Sequence, residues 1–162
     1  MEKHAQPPFH IRKFGISDVT RVAELEKLCN PLPWSAASLH IHAESSDLGD
    51  GLRRVGLVAV LEGAGEVAGY VCANLIGGEA EILVLGVASE HRRLGIGKAL
   101  LEGLAHVLRA ADCRSLFLEV RRGNQPAVSM YLGAGFREAG IRKGYYADTG
   151  EDALLMRLDF SG

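Results

Sequence analysis

Apolar and polar positions change period repeatedly along this chain, and the changes mark out its elements. Phe9 and Ile11 alternate with His10 and Arg12, which predicts an edge or near-edge strand over residues 9–14. Ser17 or Asp18 then caps a helix to about residue 29, with Val19, Val22, Ala23, Leu25 and Leu28 along its apolar side. Asn30, Pro31 and Pro33 break it, and Ser35 caps a second helix to about residue 44, followed by a polar loop over 45–50. Three β-branched and aliphatic runs follow at 55–61, 66–76 and 79–88. Short turns, Glu62-Gly63-Ala64-Gly65 and Gly77-Gly78, separate them, the pattern of an antiparallel meander. Ile96, Leu100, Leu104, Val107 and Leu108 fall on one stripe of a helix running to about residue 111. A strand over 116–120 comes next, and Asn124 caps a helix through Leu132, with Pro126 in the first turn where its missing N–H costs little. Gly133 and Gly135 end that helix; 136–141 is a strand, 142–150 a loop and 153–160 the last strand.

This order, β-α-α-β-β-β-α-β-α-β-β, joins a meander to two helical crossovers, and crossovers demand locally parallel strands. The expected fold class is α/β, a mixed, mostly antiparallel sheet with helices on both faces. A flexible N-terminal tail over 1–8, ended by Pro7 and Pro8, is expected before a single domain over 9–162. With 48% hydrophobic and 23% charged residues the composition is that of a soluble globular protein. A net charge of −2 gives no general pull toward nucleic acid or anionic membrane. No apolar run has a membrane span's length, and neither a span nor a leader is expected. Cys29, Cys72 and Cys113 are widely spaced, which predicts buried thiols in a reducing compartment, by default the cytoplasm.

Candidate chemistry begins where the apolar run from Ile82 to Val87 feeds a turn, Arg92-Arg93-Leu94-Gly95-Ile96-Gly97, that opens a helix. Glycines let backbone N–H groups turn inward, and the first helical turn adds free N–H groups and a positive dipole end, so the outline is that of a phosphate site. A Walker loop would need glycine where Arg92 stands and Ser or Thr where Ala99 stands, and a dinucleotide fingerprint would need glycine in place of Leu100. What remains is Arg-x-x-Gly-x-Gly after an apolar strand, which by itself is also an ordinary strand–helix turn.

Glu119 interrupts the apolar strand Leu116-Phe117-Leu118-Glu119-Val120 between two crossover helices. There it either loses hydration, which would raise its pKa and make it a general base, or pairs with Arg121 on the same face. Tyr131 is either a core ring or a functional phenol two turns beyond Asn124. Trp34 is a core anchor or a wall of a site, and Tyr145 and Tyr146 a hairpin tip or a second wall. Asp148, Glu151 and Asp152 are solvated loop charges or an attraction for a basic peptide. His40 and His42 have no third ligand nearby and are expected on the helix surface, His91 and His106 lack partners, and no metal site is predicted.

The Arg-x-x-Gly-x-Gly turn resembles the acetyl-CoA pyrophosphate loop of the GNAT family of N-acetyltransferases. The stretches from Leu118 to Asn124 and from Met130 to Phe136, with Pro33-Trp34-Ser35 and the run from Gly144 to Ala153, resemble its RimI-type branch, the ribosomal-protein-alanine N-acetyltransferases. The match covers most of residues 9–160. It implies a sheet splayed at the cofactor site, with Glu119 as proton acceptor and Tyr131 as proton donor. It implies that Leu85, Gly86 and Val87 hold the acetyl-pantetheine arm by strand backbone. Arg92 or Arg93, with Leu94, Gly95, Ile96, Gly97 and Lys98, would wrap the pyrophosphate, and Asn124 would contact the cofactor. Leu85-Gly86 departs from the bulkier or polar pair frequent in that branch, and glycine there fits close backbone approach or a bulge. Trp34, Tyr145 and Tyr146 are expected to wall the peptide entrance. The expected partner is a protein N terminus, a ribosomal protein's by resemblance, on a cytoplasmic monomer or weak dimer.

An amine must be neutral to attack a thioester. At an α-amino pKa of about 8 roughly a tenth of N termini are neutral at pH 7, whereas lysine, at about 10.4, is neutral some hundreds of times less often. One carboxylate therefore suits the α-amine better. Acetylation of lysine or a small amine by the same fold, and regulation by an acyl-CoA-binding relative without turnover, are the alternatives.

Overall fold

The computed structural model describes residues 8–43 and 51–160; the polar loop expected at 45–50 lies outside them, as does nearly all of the expected tail. Strands β1 (Phe9–Lys13), β2 (Leu52–Leu61), β3 (Val67–Ile76), β4 (Glu79–Val87), β5 (Ser115–Arg121), β6 (Arg137–Arg142) and β7 (Ala153–Asp159) form one sheet, in the order β1-β2-β3-β4-β5-β7-β6. Helices α1 (Val19–Cys29) and α2 (Ala36–Ala43) pack one face through Val22, Leu25 and Leu39. Helices α3 (Ile96–Ala110) and α4 (Gln125–Gly133) pack the other through Leu100, Leu104, Leu108 and Val128. Burying each such leucine contributes about 1.5–3 kcal/mol, so the α3 stripe also fixes the turn from which the helix grows. No helix of the described residues is long and apolar enough to cross a membrane.

The meander pairs antiparallel as expected, and α3 carries the chain from β4 to a parallel β5. The second crossover differs in outcome. Helix α4 leads to β6, but β7 inserts between β5 and β6 and pairs antiparallel with both.

The capping residues divide. Ser35 Oγ accepts the Ser38 N–H at 3.2 Å and Asn124 Oδ1 the Ala127 N–H at 3.3 Å, as side-chain caps do. Asp18 instead accepts the Gly15 N–H at 2.9 Å and both Arg12 guanidinium nitrogens at 2.7 and 2.9 Å. The bond from Arg12 is the first cause that holds this buried carboxyl below its ordinary range.

Two expectations about helix faces are corrected. Leu28 does not line the apolar side of α1 but is 80% exposed, while Glu26 is 1% exposed. Positions 19, 22, 26 and 29 follow helical spacing, so geometry outranks side-chain hydrophobicity here. His42 is not on the surface of α2: it is buried, with Nε2 3.0 Å from Asn74 Oδ1, while His40 is exposed.

Candidate active site

Strands β4 and β5 pair at only three positions, Glu79 with Ser115, Ala80 with Leu116 and Glu81 with Phe117. Beyond them the strands part. The cause lies on the other side of β4, where Cys72 pairs with Val84 and Ala73 with Ile82, which leaves Leu83 as an extra residue. A bulge bends its strand and swaps the faces of the residues beyond it. Ala80 and Ile82 accordingly pack toward α3, and Val84 and Ala88 toward α1. The expected splay is present, with its bulge at Leu83 and not at Gly86. Past Glu81 the β5 side of β4 is an open backbone edge, suited to the amides of an extended pantetheine arm.

Glu119 stands two residues past the last pair, on the face of Phe117 and opposite the α3 core. Its side chain is 17% exposed, and Oε1 lies 2.8 Å from Arg142 Nε. Arg121, the partner weighed from the sequence, is engaged elsewhere: its nitrogens reach Asp148 Oδ1 and Oδ2 at 2.9 Å and Glu151 Oε1 at 3.5 Å. Its guanidinium also lies 4.0 Å from the centre of the Tyr146 ring. Asp152 pairs with Arg122 at 3.4 Å, so all three loop acids serve as internal ties. Tyr145, half exposed, lies close enough to the Glu119 carboxylate that hydrogen bonding to it, and then its charge, raise the phenol's pKa. Glu119 is thus paired with the end of β6 and faced by the loop that follows it. Glu81, at the last β4–β5 pair, shares its face and lies within electrostatic range of Tyr145, a residue that pattern reading passed over.

Tyr131 lies on the opposite face. It is buried in the α3 core with its ring edge-on to Phe136, centroids 5.6 Å apart. Burial first, and then Tyr146, push its phenol up to about 12, so it holds its proton throughout neutral pH. Tyr146 in turn feels both Arg121 and Glu119. The two candidate residues therefore flank the sheet from opposite sides, and the gap between β4 and β5 is what joins their faces.

At the turn, Gly95 adopts φ 84° and α3 starts without a side-chain cap, which leaves its first N–H groups for an anion. A Cβ at Gly97 would sit 2.5 Å from Met130 Sδ, a flexible side chain of α4 that would have to shift to admit it. Arg93 is exposed and takes φ 63°, unusual for a residue with a Cβ. Arg92 folds back, with Nε 3.2 Å from the Val87 carbonyl and Nη2 3.8 Å from Cys29 Sγ. Lys98 is exposed beside Glu102 at 3.9 Å, and the Asn124 side chain serves the α4 cap.

Trp34 is half-buried with its ring 5.2 Å from that of His42. Its backbone N–H donates to Glu26 Oε2 at 2.6 Å, while Glu26 Oε1 accepts the Tyr70 hydroxyl at 2.8 Å. Tyr70 pairs across the ladder with Gly86, and a Cβ on Gly86 would come within 2.4 Å of the Tyr70 hydroxyl. Gly86 is small because Tyr70 crosses over it to reach Glu26. Helical spacing on α1 was the one sequence signal for Glu26.

Comparison with known proteins agrees with this geometry. The sequence pattern described as "Acetyltransferase (GNAT) family" matches residues 19–136. A [ribosomal protein bS18]-alanine N-acetyltransferase of Escherichia coli (strain K12) is 31% identical over 153 residues, covering 93% of this chain and 97% of the relative. The crystal structure of the E. coli ribosomal-protein-S18-alanine N-acetyltransferase superposes with a TM-score of 0.80 at 28% identity, over 96% and 97% of the two chains. Arabidopsis thaliana NAA60 in complex with acetyl-CoA shares the fold, with a TM-score of 0.83 at 22% identity over 94% and 100%. An open β4 edge, an uncapped glycine turn and relatives that match nearly end to end lead to one assignment: the chain belongs to the acetyltransferase (GNAT) family and is an acetyl-CoA-dependent N-acetyltransferase.

Proposed function

We propose that the acceptor is the α-amine of a protein N terminus, in the first instance the N-terminal alanine of a ribosomal protein, as for the E. coli relative. The observation that carries this reading is Glu119 at the mouth of the β4–β5 gap, paired with Arg142 and faced by Tyr145 on the side away from α3. The amine approaches from that side, between Trp34 and the Tyr145–Tyr146 loop. Glu119 accepts its proton, directly or through one water, as the amine attacks the thioester carbonyl. The backbone edge over Leu85, Gly86 and Val87 holds the pantetheine arm, while the uncapped start of α3, with Arg93 and Lys98, receives the pyrophosphate.

Tyr131 faces the leaving sulfur from the α3 side. A phenol held up to about 12 is a poorer acid than a thiol near 8.5, so full transfer to the thiolate would be uphill. Its part is to donate a hydrogen bond that stabilises the sulfur as charge develops, and solvent completes the protonation.

The test is a peptide panel with free Ala, Ser, Gly and Nα-acetylated termini, each with one internal lysine, assayed by mass and by thiol release. Acetylation of the free α-amine is expected, and labelling of lysine alone would overturn the reading. Glu119→Gln is expected to lower kcat by about 10²–10⁴-fold, and unchanged turnover would remove Glu119 from the mechanism.

A further inference from the structure

Glu26 is a carboxylate sealed in the core beneath α1, 1% exposed, with no cationic partner among the described residues. A buried acid is retained at such a place only when donors replace its water. The donors here come from two directions. Trp34 N at 2.6 Å and Asn30 Nδ2 at 3.5 Å belong to the segment between α1 and α2, and the Tyr70 hydroxyl at 2.8 Å belongs to β3. Tyr70 reaches Glu26 by lying across Gly86, on the strand edge that faces the gap. One side chain thus links the Trp34 segment to the strand expected to hold the acetyl group. The ring of Trp34 packs on the core cluster beneath α1 and α2 and on His42, while its backbone is tied by the bond to Glu26, in a segment where Leu32 is 60% exposed.

We infer that Glu26 is a positioning residue for the acceptor, which fixes the Trp34 wall relative to the Gly86 edge by accepting the Trp34 N–H at one carboxylate oxygen and the Tyr70 hydroxyl at the other. The inference rests on the proposed role of Trp34 as an acceptor wall. A charge-assisted hydrogen bond to the Trp34 N–H is about twice as strong as a neutral one, which gives a carboxylate an advantage over an amide at this position.

Trp34 is the only tryptophan in the chain, so intrinsic fluorescence reports on this segment alone. Glu26→Met removes both acceptor atoms at similar size. It is expected to shift Trp34 emission to the red, to increase its quenching by acrylamide, and to raise the acceptor-peptide KM on the order of tenfold. The acetyl-CoA KM is expected to rise clearly less than the acceptor KM, because Glu26 meets the Gly86 edge only through Tyr70 and does not touch the pyrophosphate turn. Glu26→Gln can still accept from Trp34 N and is expected to recover the KM to within about threefold of wild type. Should Glu26→Met fail to fold, Glu26→Gln carries the test, with measurably greater quenching and a raised acceptor KM expected. Folded variants with wild-type Trp34 quenching and acceptor KM would overturn the inference, as would equal increases in both KM values. Quenching is read without an acceptor, so failure of the wild type to acetylate any α-amine would count against the proposed function and be told apart from failure of the lock.

Discussion

Gly86→Ala sets two physical effects of opposite sign against each other. Gly86 does not take a left-handed φ, so alanine fits its backbone, and lower unfolded-state entropy would stabilise the variant by about 0.4–1 kcal/mol. Against this, the added Cβ would lie 2.4, 2.7 and 2.8 Å from the Oη, Cζ and Cε1 atoms of Tyr70. The ring cannot swing clear, because it is fully buried and its hydroxyl is held by Glu26. Overpacking costs about 1–3 kcal/mol, and loss of a hydrogen bond to a carboxylate about 1.5–3 kcal/mol. The expected net is a destabilisation of about 2–5 kcal/mol, or roughly 5–20 °C in Tm for a chain of this size. Thermal and urea unfolding followed by far-UV circular dichroism measures it independently of Trp34. In a Tyr70→Phe background the closest contact and the bond are already gone, so the same substitution should cost less. A Gly86→Ala protein as stable as wild type, or more so, would refute the account of Tyr70 lying over β4.

Tyr131→Phe is expected to lower kcat and leave the acetyl-CoA KM unchanged in steady-state assays, since only the hydrogen bond to the sulfur is lost. Its phenol sits at about 12 in the folded chain against an ordinary value near 10, so the stability it contributes is complete below about pH 10 and is lost as pH rises toward 12. Urea midpoints between pH 9 and 11.5 should therefore fall more steeply for wild type than for Tyr131→Phe, and equal slopes would contradict it. Asp18 is displaced in the other direction, below its ordinary range, chiefly by the bond from Arg12. Its contribution is present above the ordinary carboxyl range and is lost as pH falls through the lower folded value, so Asp18→Asn should be less stable at pH 7, with the gap narrowing in acid.

Most of the framework was legible because period and punctuation agree along this sequence. The glycine turns of the meander, the α3 stripe and the Asn124 cap each have a local cause, and each is found where it was expected. The residues around Glu119 were not legible in the same way. Arg142 comes from β6, which lies beyond β7 from β5 in the sheet, and no spacing along the chain foretells that it, and not Arg121, meets the carboxylate. Leu83 as the bulged residue was equally hidden, since an extra residue leaves no mark in an all-apolar run. Glu26 was within reach: its helical position was plain, but its polarity argued for the surface, and only the donors gathered in three dimensions reverse that.

Strand β7 follows β6 along the chain yet occupies an inner place in the sheet, between β5 and β6. One flank of β5 therefore stays unpaired until β7 is in place, and Arg142, which meets Glu119, belongs to the β6–β7 hairpin that β7 completes. Damage to β7 is thus damage to the middle of the sheet and to the carboxylate's support at once, where a lost margin would have spared both.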